Sequence, residues 1–222
     1  VYAIVLDGRS ANSHGMTLPE LGQLFKDLGA YNAVNLDGGG SSAMIARAAG
    51  DDGPAVWNTP SDGDVRSVSD ALVFYSSAPK DEISDAQLSV VLENENAVFP
   101  GLHRTLEGEG LGKNLAPLAV DGEYTAEGAA TVEKIDQGTA IVEGVEPGEA
   151  TITYETGVHM DSVTMRVLGD LLAIRPSART LSLPDPDSTR NVTLTGIDSD
   201  GHRARIETQD VKVEASKGFT VT

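Results

Sequence analysis

Glu146-Pro147-Gly148-Glu149-Ala150-Thr151-Ile152-Thr153-Tyr154 is the stretch on which the fold turns. Pro and Gly side by side mark a turn. The five residues after them alternate apolar and polar side chains, the period of two that belongs to a half-buried strand. The same alternation recurs on both sides, so residues 88–91, 131–135, 140–142 and 162–167 are further strand candidates. Short strands separated by turns predict an all-β sandwich over residues 79–168. A further β module is expected over residues 169–222, with strands at 171–174 and 191–194. The chain stops at Thr222, so this second module is read as truncated.

Composition narrows the classes of function. The 222 residues are 40% hydrophobic and carry a formal net charge of −18. Residues 1–78 hold four basic and nine acidic side chains, so most of the acidity lies downstream. Such a surface repels nucleic acid and anionic lipid, and no apolar run is long enough to span a bilayer. Neither nucleic acid nor a membrane is expected as a partner, and the oligomeric state is left open. There are no cysteines, which excludes disulfides, thiolate metal sites and cysteine nucleophiles. Val1 stands inside the apolar run Val1-Tyr2-Ala3-Ile4-Val5-Leu6, without an initiator Met, so the natural N-terminus and a signal peptide are expected upstream.

The front of the chain follows a different pattern. Residues 1–6 read as a strand ending in the turn Asp7-Gly8-Arg9, followed by a polar loop. Thr17 and Glu20 have the spacing of a capping box, and Met16 and Leu21 that of a hydrophobic staple, so a helix is expected to start there. Pro19 fits the first turn. Leu18, Leu21, Leu24, Phe25 and Leu28 form the stripe expected to be buried, and Gly29 sits where a helix ends. Further strands are expected at 33–36, 43–46 and 70–75, with a short extended piece at 56–58. Residues 76–85 read as a linker. Residues 1–78 are thus expected to form part of an α+β domain, with a mixed sheet and at least one helix.

The chemistry concentrates in Asn35-Leu36-Asp37-Gly38-Gly39-Gly40-Ser41-Ser42. Three glycines let the backbone take positive φ and come close to a ligand, and successive amides can form an anion nest. Ser41 and Ser42 add hydroxyl donors. Asn35 and Asp37, two apart on a strand, share a face. The ordinary reading of Asp followed by glycines is a hairpin turn, although three glycines exceed what a turn needs. Asp7-Gly8-Arg9 alone is an ordinary turn with an exposed Arg, and Arg66 alone is a surface charge that would pair with Asp62 or Asp64. The four histidines lack metal-ligand spacing, there is no Gly-x-Ser-x-Gly elbow, and the glycines do not open a helix as a dinucleotide fingerprint would. No metal and no cofactor are expected.

Taken together, these segments resemble one family. Asp7-Gly8-Arg9, Ser13-x-Gly15-x-Thr17-Leu18-x-Glu20-Leu21, Leu28-Gly29-Ala30, Ala33-x-Asn35-Leu36-Asp37-Gly38-Gly39-Gly40-Ser41, Asn58-x-Pro60 and Arg66 look like the C-terminal half of a phosphodiester glycosidase domain. Gly144-Val145-Glu146-Pro147-Gly148-Glu149-Ala150-Thr151-Ile152 resembles bacterial immunoglobulin-like modules, which would make the downstream sandwiches immunoglobulin-like. The first resemblance implies cleavage of a sugar C1–O bond whose leaving group is a phosphate ester, as in N-acetylglucosamine-1-phosphodiesters. It implies a phosphorylated glycan or cell-wall polymer as substrate, and an extracellular or cell-surface location. On that pattern Asp37 is the carboxylate at the anomeric centre, as base or nucleophile. Arg9 and Arg66 hold the phosphate bidentately. Gly38, Gly39, Gly40, Ser41 and Ser42 supply donors. Asp7 is a second carboxylate or a sugar-hydroxyl ligand, and Ser13, Thr17 and Asn35 belong to the substrate-binding set. The alternative is a cell-surface adhesion or glycan-binding protein that holds sugar phosphate without turnover.

Overall fold

The helix begins and ends where its local sequence dictates. In the computed structural model, which describes residues 1–185 and 188–214, α1 spans Leu18–Asp27. Thr17 and Glu20 form the reciprocal capping box, and Pro19 lies in the first turn. At the other end the Gly29 amide donates to the Lys26 carbonyl and the Ala30 amide to the Phe25 carbonyl, with Gly29 at φ 78°. That is a Schellman closure, which only glycine enters without strain. The apolar stripe, however, is not buried: no residue of α1 is, and Leu18 is 64% exposed.

The chain divides into two units, Val1–Ser77 and Ala78–Thr222. Besides α1, the first unit holds a 3-10 turn at Gly39–Ser41 and one antiparallel pair, β1 (Ile45–Ala46) with β2 (Ala55–Val56). Residues 1–6, 33–36 and 70–75, expected as strands, form no ladder, and Val34, Val73 and Tyr75 are exposed. The expected mixed sheet is therefore absent among the described residues. An apolar run sets a tendency to burial, but a strand exists only where a neighbour takes its N–H and C=O groups.

The second unit is built of strands. β3 (Ile83–Val90), β5 (His103–Gly112), β9 (Thr139–Gly144) and β8 (Ala130–Lys134) lie side by side in that order, with β6 (Pro117–Leu118) also on β5. A second sheet runs β4 (Ala97–Val98), β11 (His159–Val167), β10 (Gly148–Thr156), β7 (Glu123–Gly128). A third comprises β12 (Ala173–Pro176), β13 (Leu194–Ile197) and β14 (Arg203–Ile206). Among the described strands the ladders are antiparallel except β4 with β11, and an isolated parallel bridge joins Pro100 and Gly144. The predicted alternation holds on β10, where Ala150, Ile152 and Tyr154 are buried and meet Leu88, Leu106, Val142 and Met165 from the other strands. A smaller cluster of Phe99, Leu168 and Ala204 joins the third sheet to these two.

The fold class expected from sequence thus needs correction. The described chain is mostly β-sheet with one helix, in four separate sheets, and it does not reproduce an α+β domain followed by immunoglobulin-like sandwich modules. Alternation reports which face of a strand is buried and leaves open which strand lies beside which. The parts of the expected 169–222 module at residues 186–187 and 215–222 lie outside the described residues.

β5 was not expected as a strand because its sequence carries Gly108, Gly110 and Gly112 among charged residues. Glycine weakens an isolated strand. Here it makes room: a Cβ on Gly108 would lie 2.5 Å from the Tyr124 hydroxyl and 2.6 Å from the Tyr154 ring. Those two rings pack with centroids 4.9 Å apart. Burial, then the neighbouring Tyr154, pushes the Tyr124 phenol up to about 12.

The junction of β5 with the residues after β14 is polar. Arg104 is buried, with Nη2 donating to the Ala97 and Arg205 carbonyls (2.5 and 2.8 Å) and Nη1 to Glu207 (3.4 Å). Burial lowers the pKa of this guanidinium, and Glu207 opposes that shift. Glu207 also accepts from the Thr105 amide and hydroxyl. Asp210 accepts from the His103 amide and pairs with its ring (2.8 and 2.5 Å).

Candidate functional site

Three segments of the first unit are held together by their own polar groups. In the first, Arg9 takes the left-handed conformation (φ 54°). The loop folds back so that the Ser13 hydroxyl donates to the Asp7 carbonyl (2.5 Å). Gly8 and Gly15 face each other there, and a Cβ on Gly8 would come within 3.3 Å of the Gly15 Cα. Ser13, expected to contact substrate, is thus engaged in shaping its own loop.

The second segment is the glycine turn. Gly38 is extended, Gly39 has φ 65°, and residues 39–41 make the 3-10 turn, closed by the Ser42 amide on the Gly39 carbonyl. Asp37 is exposed, and its Oδ1 accepts the Gly38 amide (2.9 Å). Asn35 donates locally to the Leu36 carbonyl. Ser41 and Ser42 are half-buried.

The third segment, residues 58–66, clamps the other two. Asn58 accepts the Met44 amide (2.7 Å) and donates to the Ser42 carbonyl (3.1 Å), fixing the chain as it leaves the glycine turn. The next amide, of Thr59, donates to Asp7 Oδ1 (2.8 Å). Asp7 is therefore a brace between segments.

Two charged groups converge on consecutive glycines. The Arg9 guanidinium lies over Gly39, where a Cβ would be 3.6 Å from its Nη1. The Asp62 carboxylate lies against Gly40, where a Cβ would meet Oδ2 at 2.2 Å. Asp62 in turn holds Arg66, with Oδ2 accepting from Nε at 2.6 Å and Nη2 at 2.5 Å. Gly40 is the buried residue of the turn. Each glycine thus has its own reason: Gly39 needs positive φ, Gly40 needs the space, and Gly38 faces open volume.

Of the expected site residues, the structure brings Arg9, Gly39, Gly40 and Arg66 to one place, with Asp7 braced to the adjoining segment. Asp37 adjoins them in sequence, but among the described residues no hydrogen bond or ion pair joins it to Arg9, Asp7 or Arg66. Thr17 serves the helix as its cap, where its hydroxyl donates to Glu20 (2.6 Å) and the Glu20 carboxyl is held below its ordinary value. Asp62 and Asn58 were missed as site residues. The signals for them were the four-residue spacing of Asp62 to Arg66 and the Asn58-x-Pro60 pattern.

Asp198, Asp200 and His202, in the turn between β13 and β14, are a group of potential ligands within 4.8 Å of one another. Asp198 already accepts from the Gly169, Asp200 and His202 amides and faces the His202 ring, so it acts as the brace of that turn. No described helix is long and apolar enough to cross a membrane.

The sequence model of the family described as Phosphodiester glycosidase matches residues 1–75. No curated protein matches the chain. Among solved structures, the chain is similar to surface layer protein SbsC, domains 4–9, at 19% identity and a TM-score of 0.39. That match covers 63% of this chain and 24% of that one. For domains 1–6 of the same protein the identity is 18% and the TM-score 0.41, over 62% of this chain and 19% of that one. Domains 5–6 match at 19% identity and a TM-score of 0.36, over 54% and 64%. The chain thus spans about a quarter of the length of the first of these structures.

Proposed function

We propose that residues 1–77 carry a phosphodiester glycosidase site, which hydrolyses the bond between sugar C1 and the phosphate oxygen of a phosphodiester-linked sugar such as an N-acetylglucosamine-1-phosphodiester. The observation behind this reading is the coincidence of the family match over residues 1–75 with the segments that meet at the glycine turn. The substrate would be a phosphorylated glycan or cell-wall polymer, met outside the cell or at its surface.

The chemistry suits such a site. Ordinary glycosidases protonate a poor leaving group with a carboxylic acid. A phosphate ester leaves as a stable anion and needs positive charge and N–H donors more than a proton. Arg9 makes no hydrogen bond or ion pair among the described residues, so its fork is open for phosphate oxygens. Arg66 is tethered to Asp62, whose carboxylate lies against Gly40. Exposed Asp37 is the carboxylate assigned to C1, as base toward water or as nucleophile. Overall, water supplies OH to C1 and a proton to the released phosphate monoester.

The test is turnover of an α-N-acetylglucosamine phosphodiester by the full-length protein, read as released monoester. Asp37→Asn is expected to lower kcat/KM at least about a hundredfold, in the range of a lost general base, with the fold unchanged by circular dichroism. Turnover near the wild-type rate in that variant removes Asp37 from the reaction. Binding of the diester without any turnover by the wild type leaves a glycan-binding protein instead.

A further inference from the structure

We infer that Asp62 is a positioning residue for an anion site on the glycine turn. It orients the Arg66 guanidinium, and residue 40 is glycine because the Asp62 carboxylate occupies the space a side chain would fill. The inference rests on the phosphodiester reading for its biological ligand, and on geometry alone for the contact.

Three observations combine. The Nε and Nη2 edge of Arg66 is bound to one carboxylate oxygen, at 2.6 and 2.5 Å. The same carboxylate lies on Gly40, where any Cβ would sit 2.2–2.5 Å from its atoms and force it away. On the adjacent glycine the Arg9 guanidinium makes no competing hydrogen bond among the described residues. One guanidinium, that of Arg9, thus lies directly against the turn, and a second, that of Arg66, is linked to it through Asp62. Arg9 is open to an anion. Arg66, half-exposed, is anchored through one edge, and its Nη1 makes no hydrogen bond among the described residues.

An exposed Arg–Asp pair ordinarily contributes little, and a carboxylate beside a cationic site repels an incoming phosphate. Electrostatics alone thus predicts that removing the Asp62 charge tightens phosphate binding. Positioning predicts the opposite, because an untethered Arg side chain loses conformational freedom when it binds. The sign of the effect separates the two.

The experiment titrates the full-length, 15N-labelled protein with inorganic phosphate at fixed ionic strength and follows the arginine Nε–H resonances. In the wild type, Arg9 and Arg66 are expected to shift together with one dissociation constant. Asp62→Asn is expected to weaken phosphate binding about fivefold or more. Gly40→Ala should weaken it similarly, and the double variant should be no worse than the poorer single one, as coupled neighbours require. The amide spectrum of residues 1–77, the unit that holds both substitutions, serves as the folding control. Unchanged or tighter phosphate binding in Asp62→Asn overturns the inference, and so does a wild-type titration that leaves Arg66 unmoved. If Asp62→Asn or Gly40→Ala misfolds, the wild-type titration still tests the inference, since an unmoved Arg66 overturns it. A wild type that cleaves no sugar phosphodiester, together with phosphate binding that weakens in Asp62→Asn, refutes the glycosidase reading and supports the positioning role.

Discussion

At the residue scale, space decides more than charge does. Gly196 on β13 packs so closely that a Cβ would lie 2.4 Å from the Phe99 ring and 2.7 Å from Leu171. Phe99 is buried in the cluster that fastens the third sheet. An added methyl in such a place forces neighbours off their rotamers, at a cost of about 1–3 kcal/mol. Gly196→Ala is expected to lower the stability of the Ala78–Thr222 unit by that amount, measured by urea denaturation of the full-length protein. A loss below about 0.5 kcal/mol, within the range of ordinary surface substitutions, would show that the ring moves aside freely. Gly40 obeys the same logic in the first unit, but there the neighbour is the end of a carboxylate side chain. That difference is why its substitution is expected to alter anion binding.

At the element scale, α1 is the clearest case of a structure written in neighbouring residues. Its caps involve residues three to five positions apart, and none of its side chains is buried. A helix with so little packing depends on its ends. Thr17→Ala removes the hydroxyl that accepts the Glu20 amide (3.5 Å) and donates to the Glu20 carboxylate. The expected cost is about 1 kcal/mol of local stability, read as faster amide exchange over Leu18–Asp27 with the β strands unaffected. The Glu20 carboxyl is held below its ordinary value by the Thr17 hydroxyl and then its amide. A depressed folded value means that the carboxylate supports the cap above its unfolded pKa, about 4.3. That support fades as the pH falls through the lower, folded value. Titrating the exchange of the first-turn amides between neutral and acid pH checks the direction, and faster exchange on raising the pH beyond its intrinsic base catalysis would contradict it.

At the scale of the whole molecule, the buried core belongs to the second unit, and the seam between its third sheet and the other two is polar. Arg104→Ala would remove a buried cation from Glu207 and from two carbonyls. Breaking one side of a buried pair typically costs about 3 kcal/mol or more. The third sheet is expected to open first, so amides of β13 and β14 should lose protection ahead of those of β10. Simultaneous loss across all three sheets would mean that the seam is not a separate cooperative step. Acid should attack the same sheet. Burial pushes the Asp198 carboxyl up, but the Gly169 and His202 hydrogen bonds outweigh it and hold it below its ordinary value. Because its folded value is depressed, its stabilisation is complete above the unfolded value of about 3.9 and is lost as the pH falls through the folded one. Urea midpoints for Asp198→Asn and wild type should therefore converge as the pH drops below about 4. A gap that stays constant down to the lowest pH would assign the role of Asp198 to shape alone.

What the sequence determined by itself is whatever a few adjacent residues settle. Thr17, Glu20 and Gly29 set the helix limits, and Pro147-Gly148 and the alternation after them set β10. In each case the interacting groups are within a few positions of one another, so the chain order already contains the contact. Tertiary structure alone decided the rest. Residues 1–6 and 70–75 have strand-like sequences and no ladder, whereas glycine-rich β5 is a strand because β3 and β9 flank it and two tyrosine rings need its missing side chains. Arg9 and Arg66 read alike in the sequence, yet only the folded chain brings Asp62 to Gly40 and leaves one arginine open and the other anchored. The Asp62–Arg66 pair is only four positions apart, but the contacts of Asp62 with Gly40 and of Arg9 with Gly39 join residues tens of positions apart, and no local pattern encodes which distant partner will fill a given space.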